Sequence, residues 1–226
     1  MHFAVIEGLD GSGKSTQLKL LKEYLDTRSI RYQYLHFPRL EEGYYGKLIA
    51  RFLRGEMGAN QQVDPYLVAL IFAGDRADAA QMIRNWMEEG TLVIVDRYVY
   101  SNIAFQCAKL RDPLEQEHLM KWILEFEFEY HRIPRPDLNL YLHVPLEFTR
   151  RQLTGSRDGE DRHYLKGEKD IHEESLDFQE RVRQVYLTLQ QQVDDLVMVD
   201  CMDRDGAMLS PRSISEKIIT HILEKI

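Results

Sequence analysis

Cysteine is scarce in this chain. Cys107 and Cys201 are the only two, and they lie far apart with no cluster of histidine and cysteine around them. That excludes a disulfide framework and a cysteine-ligated zinc site, and it points to a reducing, cytoplasmic setting. Long apolar runs are missing as well. No stretch approaches the roughly 18 residues needed to cross a bilayer. The start, "MHFAVIEGLD", has no basic segment ahead of its short apolar run, so no signal peptide is expected. Positive charge is in deficit: 29 Lys and Arg stand against 37 Asp and Glu, a net charge of -8. Such a balance disfavours nucleic acid or an anionic membrane as partner. It leaves room for a small anionic substrate held by a few local arginines. There is no internal repeat and no low-complexity tract.

What is present suits one soluble enzyme domain: 226 residues, 44% hydrophobic and 29% charged. Short β-rich runs alternate with helical patterns. "FAVIE" precedes "KSTQLKLLKEYLD", whose Leu18, Leu21 and Leu25 share a helical face. "RYQYLHF", "TLVIVD", "DLNLYLHV" and "LVMVD" read as four further strands. Helical patterns fall between them, including a long one from about Pro65 to Gly90 and another over "LEQEHLMKWILEFEFEYH". The alternation predicts an α/β fold with a five-stranded parallel sheet and helices on both faces. Residues 154–170, "TGSRDGEDRHYLKGEKD", are charged, rich in glycine and without an apolar period. They read as a mobile lid on an otherwise single domain spanning 1–226.

The stretch "EGLDGSGKST" carries the strongest chemistry. Gly8, Gly13, Lys14 and Ser15 fit G-x-x-x-x-G-K-[ST], with a strand before and a helix after. Backbone N–H groups across Gly8, Leu9, Asp10, Gly11, Ser12, Gly13, Lys14, Ser15 and Thr16 would cradle the phosphates of a nucleoside triphosphate. Lys14 supplies a point charge and Ser15 a hydroxyl for Mg²⁺. The fold is therefore expected to be of the P-loop NTPase type. No guanine-reading N-K-x-D occurs, which removes the GTPases. "LVIVD" ends at Asp96, placed as a Mg²⁺-directing carboxylate. Arg97 follows at the carboxyl end of that strand, where open parallel sheets bind ligands. Arg39 ends the second strand region, and Arg76 lies on the long helix one turn after Phe72. Separated arginines of this kind suit a second phosphate site, because guanidinium pairs phosphate bidentately. Read from spacing alone, they are as readily surface arginines and a core phenylalanine.

Together these motifs resemble the thymidylate kinase family over nearly the whole chain: "EGLDGSGKSTQ", "FP" with Arg39, "LIFAGDR", "VIVDRYVYSNIAFQ", "RPDLNLYL", an arginine-bearing lid and "FQERVRQVYLTL". The resemblance implies ATP-dependent phosphorylation of dTMP to dTDP with Mg²⁺ and a homodimeric enzyme. It implies that Phe72 stacks on thymine, Arg76 reaches an edge of the base, and Asn102 contacts the base or nearby phosphate. Phe37 lines the same dTMP site, Arg97 holds the acceptor phosphate with Arg39 as helper, Phe105 lies under the sugar, and Asp10 meets the 3′-hydroxyl. Two departures stand out. The phosphate loop has no arginine, which matches the type that places it in the lid. Of Arg150, Arg151, Arg157 and Arg162, spacing does not single one out; Arg157 sits within the Gly-flanked loop and is assigned to catalysis, and Arg151 to ATP's base. "HFPRL" is also one residue shorter than the spacing relatives often show.

Other signals read as bland. His36, His143 and His172 have no partners at ligand spacing and are expected to be structural or superficial. Cys107 has no flanking base to make it a nucleophile. "EFEFEY" reads as the solvated edge of a helix. Two rivals remain: a deoxynucleoside kinase or another nucleoside monophosphate kinase, and a nucleotide-binding regulatory protein without turnover.

Overall fold

The computed structural model describes residues 3–154, 171 and 175–225. Five parallel strands form one sheet in the order β2-β3-β1-β4-β5: β1 Phe3–Glu7, β2 Tyr32–His36, β3 Leu92–Asp96, β4 Leu138–His143 and β5 Leu196–Asp200. The helices are α1 Lys14–Thr27, α2 Gly43–Leu53, α3 Pro65–Glu88, α4 Val99–Cys107, α5 Pro113–Leu124, α6 Leu146–Thr154, α7 Leu176–Gln192 and α8 Pro211–Leu223. This is the predicted architecture. The lid assigned to 154–170 falls, beyond Thr154, outside the described residues.

Strand alternation divides the core into two layers. Phe3, Val5, Val93, Val95 and Tyr141 pack on one face with α3, α4, α5 and α7. Ala4, Ile6, Ile94, Leu138, Leu140 and Leu142 pack on the other with α1 and α8. Central strands covered on both faces must be apolar throughout, as "LVIVD" is. A smaller cluster of Ile49, Phe52, Leu53 and Val68 joins α2 to α3, with Phe72 packed against it.

Three helices start alike. Asp64, Asp112 and Ser210 cap α3, α5 and α8, each followed by proline at the first helical position. The side chain satisfies free N–H groups and proline lacks the one that would be orphaned; losing such a cap costs about 1 kcal/mol.

Two features depart from the sequence reading. A helix, α4, runs through "VYSNIAFQC", whose buried polar residues hide its period. The helix predicted through "EFEFEY" stops being α-helical at Leu124 and continues as a π-helical stretch, Glu125–Tyr130. The extra residue per turn rotates Glu127 inward, where it is completely buried. The expected solvated edge is thus overturned at that residue, while Glu125, Glu129 and Tyr130 do face solvent.

Candidate active site

Parallel register brings the carboxyl ends of β1, β2 and β3 together: Ile6 pairs with Asp96, and His36 pairs with the same Asp96. The loop after β1 and the Arg97 turn after β3 are therefore neighbours. This is the geometry that gathers the donor and acceptor candidates.

On the donor side, Gly13 caps α1 with φ 87°, a left-handed conformation that glycine adopts without strain. Lys14 follows as the first helical residue and is buried. Its Nζ lies on the loop's own carbonyls, donating to Leu9 O at 3.0 Å and Gly8 O at 3.3 Å. Burial lowers its pKa to about 8, helped by the Arg97 charge and opposed by Asp96, Asp10 and Glu7. Leu9 and Ser12 are buried, and Ser15 and Thr16 are exposed at the helix start. Asp96 is buried. Desolvation alone would raise its carboxyl, but His36, Lys14 and Arg97 outweigh it and hold the pKa at about 2. Asp96 Oδ2 lies 3.2 Å from His36 Nδ1, and Oδ1 has no hydrogen-bond partner. His36, expected to be structural or superficial, has a structural part: it pairs with the Asp96 carboxylate.

Mg²⁺ fits this arrangement. An ionised, buried carboxylate with one unpartnered oxygen, and an exposed hydroxyl at Ser15 at the start of α1, are the hard-oxygen groups that such a cation takes.

The candidate acceptor side centres on Arg97. Its φ is 66°, left-handed for a residue with a side chain, which costs on the order of 1–3 kcal/mol. Glu7 secures the turn. Fully buried at the end of β1, its Oε1 accepts from Tyr98 N at 3.0 Å and Ser101 N at 3.3 Å. Its Oε2 accepts from Ser101 Oγ at 2.5 Å and Tyr186 Oη at 2.8 Å. Ser101 Oγ in turn accepts from Arg97 Nη1 at 3.1 Å. Arg97 Nη2 donates to Asp10 Oδ1 at 2.7 Å, and Gln179 Nε2 donates to Asp10 Oδ2 at 3.0 Å. Asp10 in the phosphate loop is thus offset by an arginine, not left to repel an anion. The Arg97 guanidinium also lies over the Phe105 ring, 5.0 Å from its centroid, and Phe105 meets Phe178 edge-on. Burial lowers the pKa of Arg97, but Asp10, Tyr186, Asp96 and Glu7 more than reverse this, so it stays charged.

Deeper in, Arg76 is almost wholly buried. Its Nε and Nη2 donate to Glu127 Oε2 and Oε1 at 2.5 and 2.7 Å. Asn102 Nδ2 donates to the same Glu127 Oε1 at 2.9 Å and to Ala69 O at 3.1 Å, and its Oδ1 is buried without a partner. Phe72, half-buried, turns toward α2 and meets Phe52 edge-on at 6.5 Å. Phe37 is fully buried against Tyr98. Arg39 is tied to α3: its backbone N and Nε donate to the Asp75 carboxylate, Nη2 to Asp75 O and Nη1 to Glu42. Arg151 pairs with Glu147 on its own helix, at 74% side-chain exposure. Arg157 lies outside the described residues. Cys107 is buried, and desolvation pushes its thiol up to about 12, which disfavours the thiolate.

The structure therefore joins Asp10, Lys14, Asp96 and Arg97 in one charged cluster and Arg76 with Asn102 in another. Sequence reasoning missed Glu7, Ser101, Gln179, Tyr186 and Glu127. Glu7 had a legible signal, a carboxylate ending a strand otherwise entirely apolar. Glu127 had none.

A family model described as thymidylate kinase matches residues 6–204. The chain belongs to the thymidylate kinase family. Among curated relatives, a probable thymidylate kinase of Pyrococcus horikoshii is 31% identical over 203 residues, covering 89% of this chain and 88% of its own. A thymidylate kinase of Mycobacterium tuberculosis is 31% identical over 185 residues, covering 81% of this chain and 83% of its own. The solved structure of thymidylate kinase from Candida albicans superposes with a TM-score of 0.72 at 25% identity. The match covers 99% of this chain and 91% of that one. Membership of this family of phosphotransferases fits the phosphate loop and the Arg97 turn beside it.

Proposed function

We infer that this chain carries out its family's reaction, ATP-dependent phosphorylation of dTMP to dTDP, with the donor on the phosphate loop and the acceptor phosphate on Arg97. The observation that carries this reading is the Arg97–Asp10 contact at 2.7 Å, which sets an acceptor-binding arginine directly against the donor loop. A phosphate anion at Arg97 would displace or share the Asp10 partner and lie next to the γ-phosphoryl group. Asp10, held from the other side by Gln179, would then face the sugar 3′-hydroxyl.

Transfer between phosphates asks for positioning and charge neutralisation more than covalent chemistry. The acceptor is already an anion, so no general base is needed. One of its oxygens forms the new bond to the γ-phosphorus as the bond to ADP breaks. Lys14 binds the donor phosphates as a cation, and the loop N–H groups orient them. Mg²⁺, held at Ser15 and directed by Asp96, supplies further neutralisation of donor charge when bound. Phe105 supports the sugar, Phe37, Phe72, Arg76 and Asn102 form the base end, and Arg39 braces it through Asp75. Arg157 is proposed as the catalytic lid arginine, and Arg151 as a contact for ATP's base.

Among the described residues, no helix is long and apolar enough to cross a membrane. A cytoplasmic enzyme working on small nucleotides fits that and the free thiols of Cys107 and Cys201. A homodimer is proposed from α3, whose Tyr66, Leu67 and Leu70 are exposed beside a column of Trp122, Phe126 and Tyr130 rings. ADP release measured with dTMP, dUMP, dCMP and thymidine tests the reading. Turnover should be fastest with dTMP; turnover with thymidine but not dTMP, or with none of them, would refute it.

A further inference from the structure

Glu127 is a carboxylate in the protein interior, a position that is costly unless it is well paired. It reaches that position through the π-helical turn Glu125–Tyr130, an irregularity often found at functional sites. Trp122, Phe126 and Tyr130 stack in a column along this turn, while Glu127 points inward. An apolar residue would fill the space with less penalty, so stability alone is a weak reason for a buried ion pair here.

The hydrogen-bond pattern offers a better reason. Glu127 Oε1 accepts from both Arg76 Nη2 and Asn102 Nδ2. The second partner of the Asn102 amide is Ala69 O. A carboxylate and a carbonyl are acceptors only, so the NH₂ of Asn102 has to face them. A flipped amide would set its own carbonyl against two acceptors. The sense of Asn102 is thereby fixed, with Oδ1 buried and unpartnered as a free acceptor. Glu127 also takes Nε and Nη2 of Arg76, leaving Nη1 as the donor outside the pair. A fixed donor beside a fixed acceptor complements a base edge with a carbonyl next to a ring N–H. Thymine and uracil present that edge as O4 and N3–H. Cytosine presents the reverse, an amino group and an unprotonated N3.

We propose that Glu127 is a positioning residue that sets the hydrogen-bonding sense of Arg76 and Asn102 and so makes the acceptor site reject cytosine nucleotides. It does not touch the base. The inference rests on the reading of Arg76 and Asn102 as the base end of the dTMP site.

Steady-state kinetics with dTMP and dCMP test it in wild type, Glu127→Gln, Glu127→Asp, Asn102→Ala and the Glu127→Gln/Asn102→Ala double variant. Gln keeps the shape but brings an NH₂ that opposes at least one of the three N–H donors. Asp keeps the charge but is a methylene too short to span both Arg76 and Asn102. Each should raise the dTMP KM by about tenfold, the worth of one well-placed hydrogen bond, and lower the dTMP:dCMP preference by a similar factor. The ATP KM should stay unchanged. The double variant should lose less preference than the two single losses combined, since part of the effect of Glu127 runs through Asn102. An unchanged preference, fully additive losses, or equal rises in both KM values would overturn the proposal. Loss of ATP-analogue binding in both Glu127 variants would make Glu127 a core residue only and overturn it as well. A wild type that uses dCMP as readily as dTMP would instead refute the base-site reading underneath, and the inference with it.

Discussion

At the scale of single residues, the proposed reaction divides the labour between Lys14 on the donor phosphates and Arg97 on the acceptor phosphate. Lys14 is a buried ammonium whose pKa falls to about 8, so it is charged below that pH and neutral above it. It binds donor phosphates only when charged. kcat/KM for ATP, which reports the free enzyme, should therefore be flat below about pH 8 and fall above it. A profile flat to about pH 10, the range of an ordinary lysine, would contradict the burial argument. Arg97 is proposed to serve the other substrate. Arg97→Ala should cost about 1.5–3 kcal/mol in dTMP binding, the worth of a charge-assisted hydrogen bond, with little change for ATP. Competing KM measurements decide it; a rise confined to ATP would put Arg97 at the wrong end. Neither residue was hidden. Lys14 was announced by its motif; Arg97 drew notice by its place after a buried strand, and its expected role came from the family resemblance. The positive φ of Arg97 and the Glu7 network that holds it were not legible, because they depend on which strand ends become neighbours.

At the scale of elements, regular alternation was legible and irregular turns were not. "LVIVD" and "FAVIE" announce central strands because both faces are apolar. The π-helical turn at Glu125–Tyr130 reads in sequence like a solvated α-helix, since nothing in "EFEFEY" reveals the extra residue per turn. The partner of His36 was likewise illegible until the β2–β3 register set it beside Asp96. Close approach of elements is also invisible in sequence. On α2, a Cβ at Gly46 would sit 1.9 Å from the Arg39 carbonyl oxygen, a backbone atom that cannot swing aside. Gly46→Ala should push α2 off the Arg39 segment, destabilise the fold by about 1–3 kcal/mol and raise the dTMP KM. Urea unfolding and dTMP titration check both. An unaltered midpoint would show that α2 and this segment are not packed as described.

At the scale of the whole molecule, composition and topology point the same way. A net charge of -8 leaves the anionic substrates to a few local cations, and those cations gather where the strands end. The exposed Leu67 and Leu70 of α3 predict association: light scattering should give twice the 26.7 kDa chain mass, and Leu67→Glu should reduce it to one. A wild-type monomer would contradict the dimer. The central claim is that a phosphate, not a hydroxyl, receives the γ-phosphoryl group across the Asp10–Arg97 contact. The position of label after incubation with γ-labelled ATP and dTMP tests it most directly. The label should appear on the β-phosphate of dTDP. Label transferred instead to the hydroxyl of added thymidine, with dTMP left unlabelled, would contradict the account.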